Sequence, residues 1–139
     1  MKSKYVLLLF ILMLLSSCKT YTVTSESFKE QFGYIDYGTS TSTSISGSIH
    51  YNGSQIKKIN VIDKNGEMQI LDNSPALEMR ITLINGKRSH FYFDSMQLKN
   101  DTLTGHKARF FPKAVVKVPF MNVVKIEIQE SGKKIKYIN

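Results

Sequence analysis

The stretch LEMRITLINGKRSHFYFD, residues 77–94, decides the fold class. Leu77, Met79, Ile81 and Leu83 alternate with Glu78, Arg80 and Thr82. A period of two gives a pleated strand one dry face and one wet face. Asn85-Gly86 interrupts the pattern. Asn-Gly accepts positive φ at both central positions of a type I′ turn, so it predicts a hairpin. The chain then returns through Arg88 to Asp94, with Phe91 and Phe93 pointing one way and His90 and Tyr92 the other.

The same grammar continues on both sides. Upstream, Lys57 to Asp63 and Glu67 to Asp72 flank Asn65-Gly66, a second hairpin of the same kind. Downstream, Met96 to Lys99 and Thr102 to Gly105 flank the turn Asn100-Asp101. Val115 to Val118 reads as a strand and Pro119 to Asn122 as a tight helical turn. Val124, Ile126 and Ile128 alternate with Lys125, Glu127 and Gln129, and Ser131-Gly132 turns the chain into Lys134 to Ile138. About eight short strands at this spacing predict an all-β fold, an antiparallel sandwich or small barrel, over residues 56–139. No long helical period interrupts them, which argues against a βαβ sheet.

Residues 28–55 read differently. Phe28 and Phe32 are four apart and share one helical face. Ser27 and Glu30 stand at capping-box spacing, and Gly33 offers a stop. A helix over 28–32, docked through its two rings, is the expectation. Gly38 to Ser48 is almost wholly Ser, Thr and Gly, with too little apolar surface to order itself. It reads as a flexible loop, with an edge strand as the alternative because Thr suits pleated backbone.

The first 17 residues have another character. Lys2 and Lys4 are basic, Tyr5 through Leu15 is an apolar run of eleven residues, and Ser16 and Ser17 are small. That order is a secretory signal pattern. As a helix the run rises about 16 Å, half of the ~30 Å hydrocarbon core, so it does not make a permanent span. Leu15-Ser16-Ser17-Cys18 resembles the lipobox of bacterial lipoproteins, and Cys18 is the only cysteine in the chain. The resemblance implies cleavage before Cys18, a thioether-linked diacylglyceryl group on its sulfur and an acyl chain such as palmitate on its new amino group. One acyl chain binds marginally, whereas two or more hold stably. Residues 18–27 then read as a lipidated tether.

The stretches CKTYTVTSESFKEQFG, NSPALEMRITLINGKRSHFYFDSMQL, NDTLTGHKARF and KVPFMNVVKIEIQESGKKIKYIN resemble a group of small Bacteroidetes lipoproteins. That likeness implies a family and a location but no activity. Lys19 follows the cysteine, where an Asp would resemble an inner-membrane retention signal. Thr20 to Val23 carries no acidic cluster of the kind that resembles a surface-export signal, so the periplasmic face of the outer membrane is the expected site.

Chemistry-bearing patterns are sparse. Without residues 1–17 the chain has 17 basic and 11 acidic side chains, a mildly basic surface suited to solubility and weak attraction to anionic polymers. The lysines are spread apart except at Lys133, Lys134 and Lys136, which argues against nucleic acid. His50, His90 and His106 have no companion at metal-ligand spacing, so neither metal nor other cofactor is expected. No Gly-x-Ser-x-Gly elbow or phosphate-cradling loop occurs. Asp63, Asp72, Asp94 and Asp101 fall at strand ends or turns, where Asp bonds nearby backbone amides. Asp94-Ser95-Met96 and Asp101-Thr102-Leu103 resemble the O-glycosylation acceptor of exported Bacteroidetes proteins, making Ser95 and Thr102 candidates. Phe91, Tyr92 and Phe93, with Phe110 and Phe111, read as core rings, with a ligand groove as the alternative. The expectation is a membrane-anchored lipoprotein, non-enzymatic, with a structural or binding role toward an envelope protein or glycan. The alternatives are an enzyme acting on envelope glycan or lipid, and a carrier of an apolar ligand.

Overall fold

A computed structural model describes residues 19–108 and 113–138. Residues 1–17, read above as a signal, lie outside the described residues, as do Cys18, Phe110 and Phe111. In chain order the elements are β1 (Thr20–Val23), α1 (Ser25–Phe32), β2 (Tyr37–Ser44), β3 (Gly47–Ser54), β4 (Lys58–Ile62), β5 (Met68–Asp72), β6 (Leu77–Leu83), β7 (Arg88–Tyr92), the 3₁₀ turn η1 (Phe93–Ser95), β8 (Gln97–Lys99), β9 (Thr102–His106), β10 (Val115–Pro119), the 3₁₀ turn η2 (Phe120–Asn122), β11 (Val123–Glu130) and β12 (Lys136–Tyr137). The fold is all-β and antiparallel, a sandwich with one short helix near its start. A six-stranded sheet runs β5-β4-β1-β11-β6-β7, and two three-stranded sheets run β10-β9-β8 and β12-β2-β3.

The alternation at 77–83 is strand β6 as read, with Leu77, Met79 and Ile81 buried. It pairs with β11, whose Ile126 and Ile128 stand opposite Ile81 and Met79. A bulge between Val123 and Lys125 shifts the phase. Val123 therefore points inward and Val124 is exposed, the reverse of simple alternation. The inner face of this sheet meets Leu103 and Val118 of the second sheet, with α1 touching β4, β11 and β8. Phe91 of β7 packs so closely over β9 that a Cβ on Gly105 would lie 2.5 Å from the ring. Glycine ordinarily weakens a strand interior; here it lets two layers approach.

The hairpin turns differ from the sequence expectation. At Asn65-Gly66 and Asn85-Gly86 only the glycine has positive φ, 84° and 80°. Gly66 N–H donates to Asp63 O and Gly86 N–H to Leu83 O, so each is a longer turn closed by a glycine bulge. The two-residue turn with both φ values positive is instead Asn100-Asp101, at 50° and 52°. Asp63 explains part of the shift: its Oδ1 accepts from Asn65 N and Glu67 N and holds the wider loop.

Three expectations for the first third of the chain are corrected. Of the stretch 18–27 read as a tether, residues 20–23 are β1, an inner strand paired with β11 and β4. The helix starts at Ser25, because Thr24 caps it by accepting from Ser27 N; the Ser27 hydroxyl instead accepts from Gln31 Nε2. Phe28 and Phe32 dock as expected, both buried, with Phe28 stacked on Phe120 and Phe32 edge-on to Phe93. The stretch 38–48 read as a loop belongs to the hairpin β2–β3, with residues 37–44 paired one-to-one against 47–54. β12 closes the other edge of β2 rather than extending β11. Thr-rich backbone folds here because long-range pairing satisfies its amides, which composition alone does not reveal.

Where β1 ends, Gln31 takes over its work. Its side-chain amide donates to Asn60 O at 3.0 Å and accepts from Asn60 N at 2.8 Å, as a neighbouring strand would. One side chain thus couples α1 to the edge of β4 left open by the short strand.

Candidate functional site

The small sheet β12-β2-β3 is built almost without apolar side chains, so something else must hold it to the body. Gly38, Ser40 and Ser42 lie opposite Gly53, Tyr51 and Ile49 in register, and Tyr137 of β12 stands beside Ser42. This face meets η1. Asp94 in η1 is 0 % exposed, and its Oδ2 accepts from the phenols of Tyr51 and, at 2.9 Å, Tyr137. Tyr37 donates to Met96 O at 2.8 Å. Burial, aided by the Asp94 charge, pushes the Tyr137 phenol well above its usual range. Burial pushes Tyr37 up to about 12. Gly53 is close to Ser40 Oγ, Asp94 O and the Tyr51 ring, all within 3.3 Å of where a Cβ would sit. The sheet is thus locked by phenol–carboxylate bonds in place of a hydrocarbon seam.

Beside this lock opens a cleft of about 590 Å³. Its walls are Thr39, Ser40 and Thr41 of β2, Ser54 at the end of β3, the connection Gln55-Ile56-Lys57, Asn73 after β5, and Tyr137 with Ile138. Gln55 Nε2 donates to Gly53 O, and Asn73 Nδ2 donates to Ile56 O, which fixes the two amides in the wall. Among the described residues, the buried side-chain polar atoms without a partner are Ser42 Oγ, Ser54 Oγ and Asn73 Oδ1. Two of these, Ser54 Oγ and Asn73 Oδ1, belong to residues of this cleft. Buried polar groups are nearly always paired, so two orphans on residues of one cleft are unusual.

A second polar cluster lies on the outer face of the large sheet. Glu127 accepts from Arg80 Nε at 2.8 Å and pairs with Lys125 at 3.0 Å. The Arg80 hydrogen bond holds its carboxyl down at about 2. Lys133 reaches Glu78 at 2.8 Å and sits over the Tyr92 ring. These pairs cover the outer strand face.

The residues singled out by sequence are scattered. Ser95 is buried and its hydroxyl donates to Tyr92 O, so the exposed hydroxyl that a glycan needs is missing there and that candidate is withdrawn. Thr102 is half-buried beside the Asn100-Asp101 turn and stays a candidate. His50 and His90 are exposed on different sheets and His106 is half-buried; no group of three His, Cys, Asp or Glu able to hold a metal occurs among the described residues. His50 Nδ1 lies 2.7 Å from Thr41 Oγ1. Phe91 and Phe93 are core, so the groove alternative loses those two rings. Asp94 does not serve merely as a turn residue, as its position implied; it is the buried acceptor of two phenols 43 residues away on either side. The available signal was the presence of Tyr51 and Tyr137 on polar strands, where a large ring has few apolar neighbours and must find a polar partner.

No protein family, curated protein or solved structure matches this chain. Among the described residues no helix is long and apolar enough to cross a membrane.

Proposed function

We propose that the chain is a bacterial lipoprotein, held to a membrane by acyl chains on Cys18, whose β body binds a polar component of the cell envelope without turning it over. The anchor rests on Leu15-Ser16-Ser17-Cys18 and the apolar run before it. Lys19 and the acid-free Thr20 to Val23 support the periplasmic face of the outer membrane. The observation that carries the binding role is the cleft itself, lined mainly by hydroxyls and amides beside Ile56, Ile138 and Lys57, with no carboxylate, cysteine or histidine in its wall. Glycoside hydrolysis needs two facing carboxyl groups, and a carrier of apolar ligands needs an apolar cavity. The wall of this cleft fits neither.

β1 begins at Thr20, so only Lys19 separates an acylated Cys18 from an inner strand of the sheet. The body is thereby held at the bilayer surface and not on a flexible leash. Fractionation of the Cys18→Ala chain in its native host tests the anchor. The variant is expected in the soluble fraction, while the unaltered chain stays with membranes through a high-salt wash. Salt-resistant retention of the variant would overturn the reading.

A further inference from the structure

We propose that the cleft between β2, β12 and the β3–β4 connection is a saccharide site that takes a neutral, hydroxyl-rich ring. This deepens the binding role proposed above and rests on it. The polarity of the wall selects the ligand. Asn73 Oδ1 can only accept, so whatever completes it must donate a hydrogen bond. A carboxylate or a fully ionised phosphate presents acceptors alone and would meet that oxygen as a repulsive partner. Ser54, 4 % exposed, can donate and accept, which matches an alcohol in either sense. Both orphan atoms belong to residues that line the cleft, which places their missing partners on its side.

The remaining lining has the same character. Thr39 and Ser40 add hydroxyls, and the Gln55 amide stands between them and the β3 end. Lys57 is the single charged side chain in the wall. One exposed lysine is too little to make an anion site, where paired or bidentate cations are the usual device. Ile56, Ile138 and Tyr137 supply the apolar part. A pyranose ring offers both surfaces at once: hydroxyls around its rim and C–H groups on its faces. The volume of about 590 Å³ falls within the range of about 300–1,000 Å³ of small-ligand sites.

The Tyr51–Asp94–Tyr137 lock gives the site its rigidity. It fixes β3 and β12, which bring Ser54 and Tyr137 to the cleft. A preformed wall loses little freedom on binding, which favours weak, uncharged ligands.

Calorimetric titration of the full-length chain in detergent tests the assignment. The probes are N-acetylglucosamine trimer, glucose trimer, glucuronic acid trimer and a neutral Ser/Thr-rich hexapeptide. At least one neutral trimer is expected to bind, and the acidic trimer to bind at least about tenfold more weakly. Ser54→Ala removes an orphan hydroxyl, so the free protein should unfold at the same temperature or higher while its affinity for the neutral trimer falls about fivefold or more. Thr39→Val, at an exposed position, reads the same loss where folding is not at stake. Preference for the peptide overturns the saccharide assignment, preference for the acidic trimer overturns the selection for a neutral ring, and either leaves a binding role. Binding of none of the probes overturns both. Unchanged affinity in both variants overturns this placement of the site.

Discussion

Behind the large sheet, Ile59, Val61, Met79, Ile81, Ile126 and Ile128 meet Phe28, Phe32, Phe93 and Leu103. Behind the small sheet, Tyr51 and Tyr137 meet the buried Asp94. The first contact is made of dispersion and water release, which have no preferred direction and grow with area at about 25 cal/mol per Å². The second depends on a few hydrogen bonds to a charge, each strong only when its partner is in place, at about 1.5–3 kcal/mol. Apolar packing tolerates small shifts. A buried carboxylate shared by two phenols does not, because any lost partner leaves polar atoms unpaired. The chain thus keeps bulk stability in one region and places a directional, precisely shaped frame next to the cleft.

Breaking each region separately sharpens this contrast. Phe28→Ala should have the larger effect, about 3–5 kcal/mol, since the ring is fully buried and touches Phe32 and Phe120. Urea unfolding followed by circular dichroism should show one transition moved to lower denaturant, because the lesion lies in the shared core. Asp94→Ala should cost about 2–4 kcal/mol by removing the buried acceptor shared by two half-buried phenols. Its signature differs: amide exchange should speed up in β2, β3 and β12 while β6 and β11 keep their protection. Equal acceleration throughout would mean that the two regions are one cooperative unit and that the contrast is only chemical.

The smallest effects come from pH, and the two regions should fail at opposite ends. Glu127 is depressed from 4.5 to about 2, chiefly by the Arg80 hydrogen bond. Its contribution is complete above about 4.5 and is lost as pH falls toward about 2. Tyr37 is raised from 10.0 to about 12 by burial, and Tyr137 is raised in the same direction. The Tyr37 contribution is complete below about 10 and is lost as pH rises toward about 12, and the Tyr137 contribution is likewise lost on the alkaline side. Hydrogen exchange should therefore show acid loosening the β6–β11 ladder first and alkali loosening β2, β3 and β12 first. Alkaline loosening that begins in the large sheet would break the comparison.

How much of this was readable in the sequence follows the same divide. Residues 77–83 announced β6 because every second side chain enters an apolar core, and burial follows hydrophobicity there. Phe28 and Phe32 announced the docked helix for the same reason. The hairpin β2–β3 carried no such signal, since its inner face is Ser, Gly and Tyr with a single Ile, and its order comes from Asp94, 43 residues beyond Tyr51. The bulge at Val123 was also hidden: one extra residue reverses the phase without altering composition. Cleft residues were invisible for a further reason. Thr39, Ser54, Asn73 and Tyr137 come from four separate stretches and share no spacing.

The position of β1 has a mechanical consequence. Thr20 to Val23 lies antiparallel to β11 through four successive pairings, with Lys19 leading directly into it. A pull on residue 19 along the strand axis would load those pairings together, in shear, and could not open them singly from one end. Tension arriving from that side would be spread across the middle of the large sheet before it reached the hydroxyl-lined cleft at the edge of the small one.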